Sequence, residues 1–285
     1  GATVVFADVL SDTATIDPRA VEAAITKRTR AVVAVDYAGH PAEIDELRSI
    51  ADKSGLLLIQ DSAHSLGSLY RGQPVGSLAD ITAFSFFPTK NITTGEGGAL
   101  AIRDVGILQK AREFSRQGLV RDKSRHLIQG EGPWHQEVHD LGVNYRLPDV
   151  LATLGSQQLV RLAKFKERRI EIKARYDQAL GGVGSVEVPA KRPYTDPVWH
   201  LYPMRVSVDL RRELFQFLVA KGVGVQVNYI PAYWHPAMAD LGYKRGLCPV
   251  AEDFYRKEIS LPIFYSISDS QIDFVCECIL QMVQN

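Results

Sequence analysis

Short, uniformly apolar runs alternate with amphipathic stretches through the first hundred positions. Residues 3–8 (TVVFAD), 30–37 (RAVVAVDY), 56–61 (LLLIQD), 81–87 (ITAFSFF) and 99–103 (ALAIR) are β-branched or aromatic and end at turn residues, so each reads as a strand. Between them, Val21, Ala24 and Ile25 follow an Asp17-Pro18 start signal, and Ile44, Leu47, Ile50 and Ala51 precede Gly55, each set at helical spacing. Continuous apolar strands joined by helices predict an α/β fold with a mostly parallel sheet flanked by helices on both faces. The first run begins almost at residue 1, yet an apolar strand needs neighbours on both sides. The N-terminal part of the fold is therefore expected to be missing, and the chain to be a portion of a longer protein.

Further along, residues 105–117 read as a helix, and 118–146 form a long polar connection holding Trp134, His135, His139, Asn144 and Arg146. Positions Val150, Leu151, Leu154, Leu159, Leu162, Phe165 and Ile170 predict one long helix, or two in succession, over 148–180. After Gly181-Gly182 the pattern becomes α+β, with strands at 200–208 and 223–230, a helix at 210–220 and a last helix from about residue 270. The expected division is a large domain at 1–147, a linking helix at 148–180 and a small C-terminal domain at 181–285.

Composition narrows the function classes. Of 285 residues, 46% are hydrophobic and 23% charged, as in ordinary globular proteins. Thirty-three basic residues balance 33 acidic ones, so no net field exists to hold a polyanion, and a small-molecule site is expected rather than nucleic acid. No stretch reaches the ~18 apolar residues needed to span a bilayer, and no membrane partner is expected. The three cysteines, Cys248, Cys276 and Cys278, form no CxxC pair, which fits the reducing cytoplasm better than a disulfide framework.

The chemistry concentrates in 81–100, ITAFSFFPTKNITTGEGGAL, where a strand runs through Pro88 into a glycine-bearing loop holding Lys90. A lysine that attacks a carbonyl must spend time neutral, which requires burial or a neighbouring cation. Asp61 ends an apolar strand, and ligands of parallel sheets collect at the carboxyl ends of strands, so Asp61 and Lys90 are expected to face one crevice. A carboxylate there could keep a cationic heterocycle protonated; it could equally cap a turn. His64 and Ser85 lie near the same edge, as cofactor contacts or as packed residues. In His135-Gln136-Glu137-Val138-His139 two histidines stand four apart, but Gln136 occupies the place of a zinc protease glutamate and no third ligand is apparent. That segment is expected to be a solvated loop, and no metal site is expected.

In combination, DSAHS at 61–65, FSFFPTKNITTGEGGAL at 84–100 and GVNYRLPDV at 142–150 resemble the DegT/DnrJ/EryC1/StrS sugar-nucleotide aminotransferases, along essentially the whole chain. The resemblance implies a fold-type-I pyridoxal phosphate enzyme and a homodimer with shared active sites. Lys90 would bond the cofactor covalently, Asp61 would face its pyridine nitrogen, His64 its 3-hydroxyl side, and Ser85 its phosphate. Asn144 of the partner subunit would reach that phosphate, and His200, Tyr229 and Arg146 would meet substrate. The strings VDYAG, DSAHSLGS, NITTGEGGA, HLYP and AEDFYRKEISLP resemble the family branch that aminates C4 of a UDP-linked 4-keto-6-deoxy-N-acetylhexosamine in pseudaminic acid biosynthesis, with L-glutamate as donor. Asn228-Tyr229 departs from the His-Tyr common in related sequences. Alternatives are another 3- or 4-aminotransferase of the family, a dehydratase relative, or an inactive small-molecule-binding form.

Overall fold

The computed structural model describes residues 1–283. Its central sheet has four strands in the order β1 (Ala31–Val35), β2 (Leu57–Asp61), β3 (Ile81–Ser85) and β4 (Gly98–Ile102). The first three run parallel and β4 is antiparallel to β3, so the sheet is mostly parallel, as the apolar strands predict. Register aligns Val35 with Asp61, Asp61 with Ala83, and Ser85 with Gly98. The carboxyl ends of β1 to β3 therefore share one edge.

Helices α1 (Pro18–Ala24) and α2 (Ile44–Ser54) pack beside this sheet. Asp17 caps α1 by accepting the Arg19 amide, and left-handed Gly55 closes α2, both at the expected positions. Val21, Ile44, Leu47 and Ala51 meet Val32, Ala34 and Leu58 in one core. On the other face of the sheet Val33, Val35, Leu57 and Leu100 are exposed, so the expected second layer does not cover them among the described residues.

Residues 3–8 are not the strand expected. The backbone makes only an isolated bridge from Val9 to Ile16, and Val4 and Val5 are exposed. An apolar run with no ladder to join stays irregular. The Asp8 carboxylate instead accepts the Val250 and Ala251 amides at 3.0 and 2.9 Å, at the start of a C-terminal helix.

Helix α3 (Val105–Phe114) stops three residues short of its expected end, because the amides of Ser115 to Gly118 close a turn on residues 111–113 and Val143. The region 148–180 is two helices, α4 (Asp149–Val160) and α5 (Leu162–Leu180), separated at Arg161. Phe165, Arg169, Ile172, Tyr176 and Leu180 recur at helical spacing and form the buried face of α5.

That face packs on a three-stranded sheet, β5 (Val186–Glu187), β6 (Tyr202–Val206) and β7 (Glu258–Leu261), with β6 central. Helices α6 (Val208–Ala220), α7 (Pro249–Lys257) and α8 (Asp269–Val283) complete this unit. The strand expected at 223–230 is absent: only Gln226 bridges to Ser260, and β7 takes the place beside β6. Cys248, Cys276 and Cys278 are buried and unpaired, the last two in the core of α8. Among the described residues no helix is long and apolar enough to cross a membrane.

Candidate active site

A cleft of about 460 Å³ opens between the Lys90 loop, α5 and β7, lined among others by Lys90, Asn91, Arg169, His200, Asn228 and Tyr229. The loop is held by its own backbone. Lys90 N donates to Phe87 O at 3.0 Å, Thr94 N and Thr93 Oγ1 donate to Phe86 O, and Gly95 N donates to Thr93 Oγ1 at 2.8 Å. Asn91 Nδ2 reaches back to His64 O at 2.9 Å and so locks the neighbouring loop. The Lys90 amine is half-buried, and among the described residues it makes no ion pair. Burial lowers its pKa below the usual lysine range, while the Asp61 carboxylate opposes that shift.

Asp61 ends β2, and its Oδ1 accepts the Ala63 amide at 3.1 Å. His64 and His200 stack with ring centroids 4.3 Å apart, and Tyr229 lies 6.2 Å from His64. Burial, with the Lys90 charge, lowers His64 to about 3. His200 is likewise held well below its ordinary value by burial, with His64, Arg169 and Lys90 adding to the effect. Both rings are therefore neutral at physiological pH. The Nδ1 atoms of both histidines, Asn91 Oδ1 and Asn228 Oδ1 are buried without a hydrogen-bond partner. Polar atoms left open around a lysine cleft suit a polar ligand that completes them.

The chain brings the histidines together through one turn after β1. Ala38 and Gly39 both have positive φ, at 58° and 93°. Ala38 O accepts the His200 amide at 2.8 Å. Gly39 packs so closely that an added Cβ would stand 3.0 Å from His200 N, 3.0 Å from His64 O and 3.1 Å from Trp199 N. Asp36, fully buried, fixes the start of this turn: it accepts from Ala42 N at 3.0 Å, Gln60 Nε2 at 2.9 Å, Ser62 Oγ at 2.9 Å and Ser65 Oγ at 2.5 Å. Burial raises Asp36 to about 6 in spite of these donors.

Arg169, largely buried in the cleft wall, donates through Nη1 to the carbonyls of Trp199, His200 and Ile263 at 3.0, 3.2 and 3.0 Å. Desolvation alone lowers it to about 10. Behind Asn228 and Ser260 of the cleft lining, buried Glu258 accepts Asn228 N at 2.8 Å and Ser260 Oγ at 2.5 Å, and burial raises it to about 7.

The family model of the DegT/DnrJ/EryC1/StrS aminotransferases matches residues 1–280. The chain belongs to this family. It is 37% identical over 265 residues to the dTDP-3-amino-3,4,6-trideoxy-alpha-D-glucose transaminase of Streptomyces venezuelae, covering 92% of this chain and 66% of that protein. It is 33% identical over 294 residues to the UDP-4-amino-4,6-dideoxy-N-acetyl-beta-L-altrosamine transaminase of Campylobacter jejuni, covering 100% and 74%. Among solved structures, the PMP-form of a putative sugar aminotransferase from Streptococcus pneumoniae superposes with a TM-score of 0.91 at 31% identity, over 100% of this chain and 77% of that one. The family is one of pyridoxal phosphate-dependent aminotransferases, and the fold here is its fold.

Of the residues singled out in the sequence, Lys90, His200 and Tyr229 line the cleft, and Asp61 and His64 stand beside Lys90. Ser85 sits at the same sheet edge, where its Oγ accepts the Phe87 amide at 3.4 Å, and it does not line the cleft. Asn144 and Arg146 are exposed and pair with each other, Arg146 Nε donating to Asn144 Oδ1 at 2.8 Å, away from this chain's cleft. Asp36, Gly39, Arg169 and Glu258 were not legible as site supports. The available signals were a second strand ending on an acid and the glycine of VDYAG; nothing local marks Arg169 or Glu258.

Histidines 135 and 139 are not on a simple solvated loop. Glu137 between them is buried and bonded to both, and a ring nitrogen of His126 lies within 4.8 Å of it.

Proposed function

We propose that this protein transfers the amino group of L-glutamate to C4 of a UDP-linked 4-keto-6-deoxy-N-acetylhexosamine, making an amino sugar of the pseudaminic acid type. The observation that carries the transfer chemistry is the half-buried Lys90, depressed in pKa and facing a cleft with open polar atoms. The likeness to the Campylobacter UDP-4-amino-4,6-dideoxy-N-acetyl-beta-L-altrosamine transaminase supports the UDP-linked 4-amino assignment.

Pyridoxal phosphate, when bound, supplies an aldehyde carbon and an electron-accepting ring. The residues present fit it: Lys90 would bond it, Asp61 would hold its pyridine nitrogen, His64 its hydroxyl side, and Ser85 its phosphate. Desolvation raises the neutral fraction of the Lys90 amine, which lets that amine act as nucleophile and then take a proton from the donor's Cα and return one to the product. His64 and His200, both neutral, orient polar groups without adding positive charge beside Lys90. His200 and Tyr229 would position the sugar nucleotide, and Arg146, exposed beside Asn144, would reach it only in the other copy's cleft. The exposure of Asn144 supports a homodimer in which it serves the other copy's cleft.

The test is amination of a UDP-4-keto-6-deoxy-N-acetylhexosamine with glutamate, followed by mass spectrometry of the sugar and of 2-oxoglutarate, and by peptide mapping after borohydride reduction with cofactor. A 4-amino product and a label on Lys90 are expected. Amination only of a dTDP-linked 3-keto sugar would overturn the substrate while leaving the chemistry. Absence of label at Lys90 would overturn the chemistry.

A further inference from the structure

We infer that His126, His135 and Glu137 form a binding site for a divalent transition metal of the zinc class, separate from the Lys90 cleft. One donor atom from each lies within 4.8 Å of the others. The set spans a short ribbon in which Val120 pairs with Glu137.

The surroundings are those that tune a ligand set. His126 Nε2 lies 3.2 Å from Val120 O, and a carbonyl only accepts, so Nε2 carries the proton and Nδ1 keeps its lone pair. Metal-bound histidines commonly donate their other N–H to a backbone carbonyl in this way. Glu137 is fixed from behind by the Leu127 and Ile128 amides, each at 2.8 Å. His135 Nε2 meets its Oε1 at 3.0 Å, and His139 Nε2 meets its Oε2 at 2.6 Å.

Two ligands on a tetrahedral zinc stand about 3.3 Å apart, given bonds of about 2.0 Å. The His135–Glu137 pair, at 3.0 Å, is already near that separation, and the His126 donor, within 4.8 Å, must approach by at most about 1.5 Å. The intervening chain holds Gly130 and Gly132, and the His135 ring is partly exposed, which allows both the closure and the entry of an ion. For a metal to bond His135 Nε2 the ring must carry its single proton on Nδ1, so the hydrogen bond from Nε2 to Glu137 Oε1 is given up as the ion takes its place. Two neutral imidazoles and one carboxylate leave a fourth position for water. His139 stays outside, orienting the carboxylate. Such an ion would tie residue 126 to 135–137 and so clamp the base of the segment that presents Asn144.

The experiment is titration of EDTA-treated, dialysed full-chain protein, in its cofactor-bound form, with zinc chloride by calorimetry, and with cobalt chloride by visible absorption. One zinc per chain and an intense tetrahedral cobalt spectrum are expected. His126→Gln and His135→Gln should each weaken zinc by roughly 100-fold or more, while His235→Gln, on an exposed position elsewhere, should bind as the parent does. No zinc binding by the parent, a weak octahedral cobalt spectrum, or unchanged affinity in His126→Gln would each overturn the site. If His135→Gln does not fold, His126→Gln and the cobalt spectrum still decide.

Discussion

Replacing Gly39 by alanine isolates how the two site histidines are brought together. The new methyl would meet His200 N, His64 O and Trp199 N at 3.0, 3.0 and 3.1 Å, all backbone atoms that no rotamer change can move. At φ +93° the alanine also carries left-handed strain of about 1–2 kcal/mol. Overpacking a tight site adds about 1–3 kcal/mol, so Gly39→Ala should cost about 2–5 kcal/mol in all. Gly55→Ala is the matched control, because Gly55 also has positive φ, at 63°, yet a Cβ there would meet nothing within 4 Å. It should cost only about 1 kcal/mol. Urea unfolding of the two variants, read by tryptophan fluorescence, gives the difference, and Lys90 labelling by cofactor and borohydride reports the damage at the cleft. Equal losses of stability in the two variants would refute the claim that close backbone approach at residue 39 joins the histidine loops.

Lys90→Ala should abolish turnover while leaving the urea midpoint within about 0.5 kcal/mol of the parent; amination at a near-parent rate would sink the assignment. Asp61→Asn removes the charge that opposes the burial of Lys90, so the pH midpoint for trinitrobenzenesulfonate modification of Lys90 should move lower, and a rise would contradict the pairing. Glu258 titrates near 7 when folded against 4.5 when unfolded, so its contribution is complete below about pH 4.5 and is lost as pH rises through about 7. The loss approaches about 3 kcal/mol, and Glu258→Gln should flatten the fall in stability between pH 5 and 8; an unchanged slope would show that another group causes it. Ile172→Ala, fully buried in α5, should cost about 2–5 kcal/mol by thermal or urea unfolding.

The parallel strands were legible from their continuous apolar runs, although Val33, Val35 and Leu57 on one face stay exposed among the described residues, and Gly55 and Asp17 mark helix ends by local chemistry that needs no tertiary context. Asp61 was legible because a strand that ends on a charged residue breaks its own pattern, and Lys90 because it stands alone in the proline- and glycine-bearing loop after a strand. Residues 223–230 read as a strand for the same reason that 3–8 did: apolar content alone does not say whether a partner backbone is within reach. β7 went unread because its four residues follow a charged helix and include Glu258, whose burial is supported by Asn228 from elsewhere in the chain and by Ser260 two residues on. The His126–Glu137 cluster was invisible for a similar reason. Its third member lies nine residues before His135 at no ligand spacing, and only the ribbon fold supplies the juxtaposition.

The burial of all three thiols gives the molecule an internal clock for opening. Cys248 and Cys276 are pushed up to about 11 by burial, and Cys278 is raised as well, so none offers thiolate or access to a water-borne disulfide reagent while the C-terminal unit is closed. A molecule that reacts at Cys276 or Cys278 must first have exposed its C-terminal core, and the rate of colour release from these two measures how often that happens without any engineered label. Substrate or cofactor that braces β7 and α8 against the cleft would slow this rate, turning native cysteines into a readout of ligand-coupled breathing.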